Sequence, residues 1–256
     1  MKRISLPFIG LVACIAAAAA SRQSPGPVGR HAIADIPAVL HESAGGTVSL
    51  LGVTRSGTDD DEEVRRQSRE KLRSNEAGTY ISEILLERDS ALARWHDRRF
   101  EPLKVWVQSA PEITDWSDEY VDAVSSAFRA WDAVELPVRF RVVSDSESAE
   151  VHVTWVDHFD APISGRTRWS RDNNWWIVGG GIVLAVHHQH GEVLDRSAMR
   201  AMALHEVGHL LGLDHTTDPG SIMAPRVRVR DLTPMDKATV KLVYEVPAGL
   251  YADRRR

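Results

Sequence analysis

One run of residues constrains this chain more than any other: His205-Glu206-Val207-Gly208-His209-Leu210-Leu211-Gly212-Leu213-Asp214-His215. Residues four apart on a helix lie one above the other, so His205 and His209 present their rings on one face and can share a metal ion. Gly212 can take the left-handed conformation that ends a helix, after which the chain doubles back and His215 reaches the same ion. Three protein ligands leave a fourth position open for water or a carbonyl oxygen, the pattern of catalytic zinc rather than structural zinc. Glu206 sits beside the first ligand, where its carboxylate can reach that water without ligating, as a general base must. The third histidine makes the motif far more specific than a two-histidine helix, and the apolar residues around it fit a buried helix.

The rest of the chain divides by composition. With 43% hydrophobic and 26% charged residues it reads as a soluble globular protein, and a net charge of -5 gives no reason to expect a nucleic-acid partner. Met1-Lys2-Arg3 followed by the apolar, alanine-rich stretch Ile4 to Ala20 reads as a secretory signal over residues 1–20, too short and alanine-rich for a membrane anchor. Cys14 lies within it, and Leu11-Val12-Ala13-Cys14 also has the form of a bacterial lipobox, so the expected location is outside the cytoplasm, either released or lipid-anchored through Cys14. With no other cysteine, the remaining chain forms no disulfide and is expected to rely on core burial and bound metal.

Residues 21–76 read as a Gly/Pro/Ser-rich linker running into a charged, solvated helix (DDDEEVRRQSREKLR). Residues 77–100 read as a helix whose face, Ile81, Ile84, Leu85, Leu92 and Trp95, needs an apolar partner, the nearest being the following domain. A brace on that domain is expected rather than a removable cover, since no cysteine is present to occupy a zinc. Residues 101–247 carry the alternation of a compact α+β unit: strands at 103–107, 138–143 and 151–156, a helix from Ser117 to about Val134, and a glycine-interrupted edge strand over 177–186. Helices follow at 196–211 and 233–244, the last with Asp231 or Thr233 as cap and Pro234 in its first position. Residues 248–256 form a basic tail.

Beyond the histidine run, Ser221-Ile222-Met223-Ala224-Pro225 resembles the methionine turn of the metzincin clan, in which Met223 would lie beneath the metal. Within that clan the stretch from Glu101 to Val246 is similar to the matrixins. Ala127-Phe128-Arg129-Ala130-Trp131 leading to Leu136-Pro137-Val138-Arg139-Phe140 matches their first helix and second strand. Ala149-Glu150-Val151-His152-Val153 matches the third strand, and Leu232-Thr233 through Asp236 to Tyr244 matches the closing helix. Pro225, where other branches carry tyrosine, favours the same assignment. The resemblance implies a metzincin-like zincin fold with a twisted, mainly parallel sheet, an active-site helix and a C-terminal helix. It implies a monomeric zinc endopeptidase acting on protein or peptide, with His205, His209 and His215 as ligands and Glu206 as base.

Two features depart from the family. The cysteine that keeps vertebrate matrixins latent has no counterpart after Cys14, so that mechanism is excluded for this chain. A second, structural zinc or calcium site is not favoured, although His158, Asp160, His187, His188 and His190 occupy the corresponding region. Trp169, Trp175 and Trp176 lie where the family's strand borders the cleft, or else cover the sheet as core. A zinc-stapled binding protein and a zinc hydrolase of a non-peptide amide remain as rival readings.

Overall fold

Alternating apolar side chains make the strands at the centre of the chain, and their register makes the sheet. A computed structural model describes residues 56–251; the stretch at 1–20 read as a leader, with Cys14, the stretch up to residue 55 read as linker and the end of the basic tail lie outside the described residues. The elements in order are α1 (Ser56–Ser74), α2 (Ile81–Glu87), β1 (Ala91–Leu92), β2 (Arg94–Trp95), β3 (Arg98–Val107), α3 (Glu119–Asp132), β4 (Val138–Val143), β5 (Val151–Val156), β6 (Gly165–Arg171), β7 (Trp176–Ala185), α4 (Arg196–Leu210), α5 (Pro234–Glu245) and β8 (Gly249–Leu250). The six-stranded sheet runs β2-β7-β5-β3-β4, with β6 also on β7. All its pairings are parallel except β6 on β7. A mainly parallel sheet with helices on its face is the α+β layer arrangement expected of the sequence.

In β5 the pattern of Val151, Val153 and Trp155 turns one face inward, where Phe128 and Trp131 of α3 and Leu204, Val207 and Leu210 of α4 complete one core. Helix α3 starts later than its sequence suggests: Asp118 takes the cap position without a side-chain bond, while the Ser117 hydroxyl accepts only a weak 3.3 Å bond from the Glu119 amide. Helix α4 is capped by Asp195, whose carboxylate accepts from the Ala198 amide at 2.7 Å. Helix α5 has Thr233 as cap, Pro234 in its first turn and a reciprocal box with Asp236.

Two expectations are corrected. The 177–186 stretch is not an edge strand: β7 lies between β6 on one side and β5, with the short β2 at the start of β7, on the other. Among the described strands β6 is the edge next to β7, and its Arg, Thr, Trp and Ser residues carry no apolar alternation. The helix expected over 77–100 is also shorter. It stops at Glu87 because Asp89 and Ser90 take positive φ (51° and 66°), and Leu92 and Trp95 are on short strands instead.

The apolar face itself finds its partner. Tyr80, Ile81, Ile84, Leu92 and Trp95 are all buried in the same core as α4 and α5. The Tyr80 amide donates to Thr239 of α5 at 3.1 Å and the Tyr80 hydroxyl to Asp236 at 3.3 Å. Ile84→Ala is therefore expected to destabilise the folded chain by about 2–5 kcal/mol, as for any fully buried aliphatic truncation. Denaturant midpoints at unchanged m-value measure it; a loss near zero would mean that α2 packs only loosely.

Candidate active site and metal centre

Helix α4 is buried on nearly every side, from Met199 through Leu210, and this burial positions the histidine run. His205 and His209 stand one turn apart on it. Their Nε2 atoms are 3.1 Å from each other, and that of His215 is 3.2 Å from His209. Tetrahedral ligands about 2.0–2.1 Å from a zinc ion would be about 3.3 Å apart, close to these separations. Among the described residues, these three side chains are the set able to share one ion.

The donor chemistry fits a cation as well as the distances do. His205 Nδ1 lies 2.7 Å from the Ile222 carbonyl and His209 Nδ1 lies 3.1 Å from the Leu213 carbonyl. A carbonyl only accepts, so each Nδ1 carries the proton and each Nε2 offers a lone pair. Lone pairs converging at 3.1 Å repel one another unless a cation stands between them. Burial favours neutral rings here, lowering the pKa of His205 to about 4 and that of His209 to about 3.

Two close approaches build the floor. A Cβ on Gly208 would overlap the Met223 sulfur, so only glycine lets that buried methionine lie against α4. Gly212 has φ +95°, and a Cβ there would overlap the Ala93 carbonyl. The segment carrying Met223 is held by Asp236, which is fully buried at the start of α5. Its carboxylate accepts from the Ser221 hydroxyl and, at 3.2 Å, from the Ile222 amide. The Met223 carbonyl accepts from the Thr216 amide at 3.1 Å, which joins this turn to the residue after His215.

Glu206, 3% exposed, turns towards the edge strand. The Thr167 hydroxyl of β6 lies 2.6 Å from Glu206 Oε2 and 2.9 Å from the Glu206 backbone carbonyl, so it can donate to either. Burial raises the Glu206 pKa to about 7, against the lowering effects of Thr167 and of the nearby Arg166 charge. The structure thus brings together the three histidines singled out in the sequence, and places Glu206 on the same helix against Thr167 of β6. Thr167 and Asp236 were not legible as site residues: one sits in a stretch that reads as polar loop, the other in a helix cap.

Three of the histidines considered for a second metal have protein partners in the structure. His158 pairs with Asp157 at 2.6 Å, and His188 bonds the Ser164 hydroxyl at 2.9 Å. His187 lies between two carboxylates, 3.2 Å from Asp115 and 2.9 Å from Asp157, and so links the segments after β3, β5 and β7. The tryptophans divide too: Trp169 and Trp175 pack on the core, while Trp176 stacks on His96 at 3.8 Å.

The Asp115 hydrogen bond, followed by the Asp157 charge, raises the His187 pKa. The stabilisation from this group is complete below its unfolded value of about 6.5 and disappears as pH rises through the higher native value. Both aspartates are more than half exposed, so screening limits the effect to about 1 kcal/mol. His187→Asn is expected to melt a few degrees below the native chain at about pH 6 and nearly with it at about pH 9. A melting difference that does not change with pH would assign His187 a packing role alone.

Two histidines on a buried helix and a third beyond a glycine turn thus form a cluster able to hold a metal ion, with Met223 packed against Gly208 of the same helix. The family model described as Matrixin matches residues 95–245, more than half of the chain, and the chain belongs to that family. It is 25% identical over 130 residues to Metalloendoproteinase 1 of Glycine max, covering 44% of this chain and 40% of that protein. It is 28% identical over 152 residues to Metalloendoproteinase 1-MMP of Arabidopsis thaliana, covering 50% and 38%. Against the Interstitial collagenase of Sus scrofa it is 34% identical over 119 residues, covering 43% and 24%. The chain therefore spans less than half the length of these relatives.

Proposed function

We propose that this chain is a zinc-dependent endopeptidase, with His205, His209 and His215 holding the ion and Glu206 acting as general base. The observation that carries the reading is the convergence of three imidazole Nε2 atoms at a buried helix that also carries the buried Glu206. Zinc at this position supplies Lewis-acid chemistry, lowering the pKa of water and polarising a carbonyl. Glu206 takes the proton of the attacking water and delivers it to the leaving amine, and the Thr167 hydroxyl holds its carboxylate beside the ligands. The Nδ1 bonds to Ile222 and Leu213 keep the first two rings in the tautomer and orientation that binding needs.

Strand β6 borders the site through Thr167 and, among the described strands, pairs only with β7, which leaves its outer edge available there for an extended peptide by strand addition. Protein or peptide is accordingly the proposed substrate, and the matrixin relatives, named as metalloendoproteinases and a collagenase, agree with it. No described helix is long and apolar enough to cross a membrane, and the leader read at residues 1–20 supports work outside the cytoplasm.

Glu206→Gln in the full chain tests the assignment. Casein or peptide turnover is expected to fall about 10²–10⁴-fold while one zinc stays bound. Turnover close to native would remove Glu206 as base. Loss of the metal together with activity would make it part of the binding set, and a native chain that binds zinc without cleaving peptides would leave a zinc-stapled binding protein.

A further inference from the structure

The last carbonyls of any helix need donors from beyond it; at the end of α4 the amides that follow serve Val207, Gly208 and His209, while Leu210 and the turn after it draw side-chain donors from Trp95 and Arg88. The Leu210 carbonyl takes the Trp95 indole N–H at 2.8 Å. The Gly212 and Leu213 carbonyls take the two Nη groups of Arg88 at 2.8 and 3.0 Å, and Arg88 Nε reaches the Asp214 carboxylate at 2.8 Å. One planar guanidinium thus spans three consecutive residues, a match that a point-charge ammonium does not reproduce. The Trp169 ring of β6 lies 5.2 Å from the same guanidinium carbon, and the arginine side chain is only 12% exposed.

Two links lead from this clamp to the ligands. The Leu213 carbonyl that accepts from Arg88 also accepts from His209 Nδ1, so its position sets the orientation of that ring. His215 follows Asp214 directly. Beyond it, Glu83 of α2 accepts from the Thr216 hydroxyl at 2.9 Å and the Thr217 amide at 2.7 Å. The third ligand is therefore held on both sides by residues of the segment between Tyr80 and Trp95.

We propose that Arg88 and Glu83 are positioning residues of the metal centre, and that the segment around them is a permanent part of the working site rather than a cover removed to expose it. The proposal rests on the reading of His205, His209 and His215 as zinc ligands. Partners that orient ligands from outside typically influence metal affinity about 10–100-fold, and a bond shared with a ligand's carbonyl is of that kind.

The test uses the full chain with Arg88→Met, Arg88→Lys and Glu83→Gln, loaded with zinc or cobalt(II). The readouts are zinc transfer to a chromogenic chelator, the visible spectrum of the cobalt form, and kcat and KM on a peptide. All are taken at a temperature where circular dichroism shows each variant folded. Arg88→Met is expected to release zinc at least about tenfold faster, to alter the cobalt bands and to lower kcat more than KM changes, with Arg88→Lys intermediate. Glu83→Gln, which keeps the side chain's shape, is expected to shift the same readouts less, and it decides the question if Arg88→Met does not fold. Zinc release and cobalt bands identical to native, with only a lower melting temperature, would show that both residues merely support the fold. A native chain that binds no zinc would instead remove the metal reading, and this inference with it.

Discussion

The imidazole-to-carbonyl bonds of His205 and His209 are the interactions on which the site depends. Each sets a tautomer and ties the orientation of a ring to a loop that is not part of α4. Ile222 is held from α5 through Asp236, and Leu213 is held from the α2 region through Arg88. The closing helix thus fixes the amide of the residue whose carbonyl orients His205, and the α2 region fixes the carbonyl that orients His209. A shift in either element moves a ring, which is why so much buried polar structure gathers around a few side chains.

Burial makes those bonds effective and also costly. Glu206 and the imidazoles of His205 and His209 lose much of their hydration on this buried helix, while His215 stays exposed, and the site compensates with fixed donors and, in the proposed reading, a dication. Glu206 keeps one hydroxyl partner and the charge of Arg166, and burial outweighs both. The glycines at 208 and 212 serve the same compactness, letting a methionine sulfur and a backbone carbonyl approach where any side chain would intervene.

Much of this was legible in the sequence because it is local. The spacing of His205, Glu206 and His209 dictates a shared helix face, Gly212 dictates the turn, and Thr233-Pro234 with Asp236 dictates the last helix start. What escaped depends on contacts between distant segments. Strand β6 has no periodic signature, so Thr167 reads as loop until β7 pairs with it. Arg88 reads as one more charge in a charged region, and only the packing of α2 on α5 carries it to the end of α4. Glycines within 177–186 suggested an edge because a strand without side chains packs poorly, yet neighbours pair with it on both sides.

The central claim is that three imidazoles hold one ion and leave a position open. X-ray absorption at the zinc K-edge of the purified full chain measures this directly, without relying on turnover. The account predicts one zinc per chain with three histidine-type nitrogens at about 2.0–2.1 Å and one further light-atom ligand. A shell fitted by fewer than three imidazoles, or a chain that retains no zinc after buffer exchange, would contradict it.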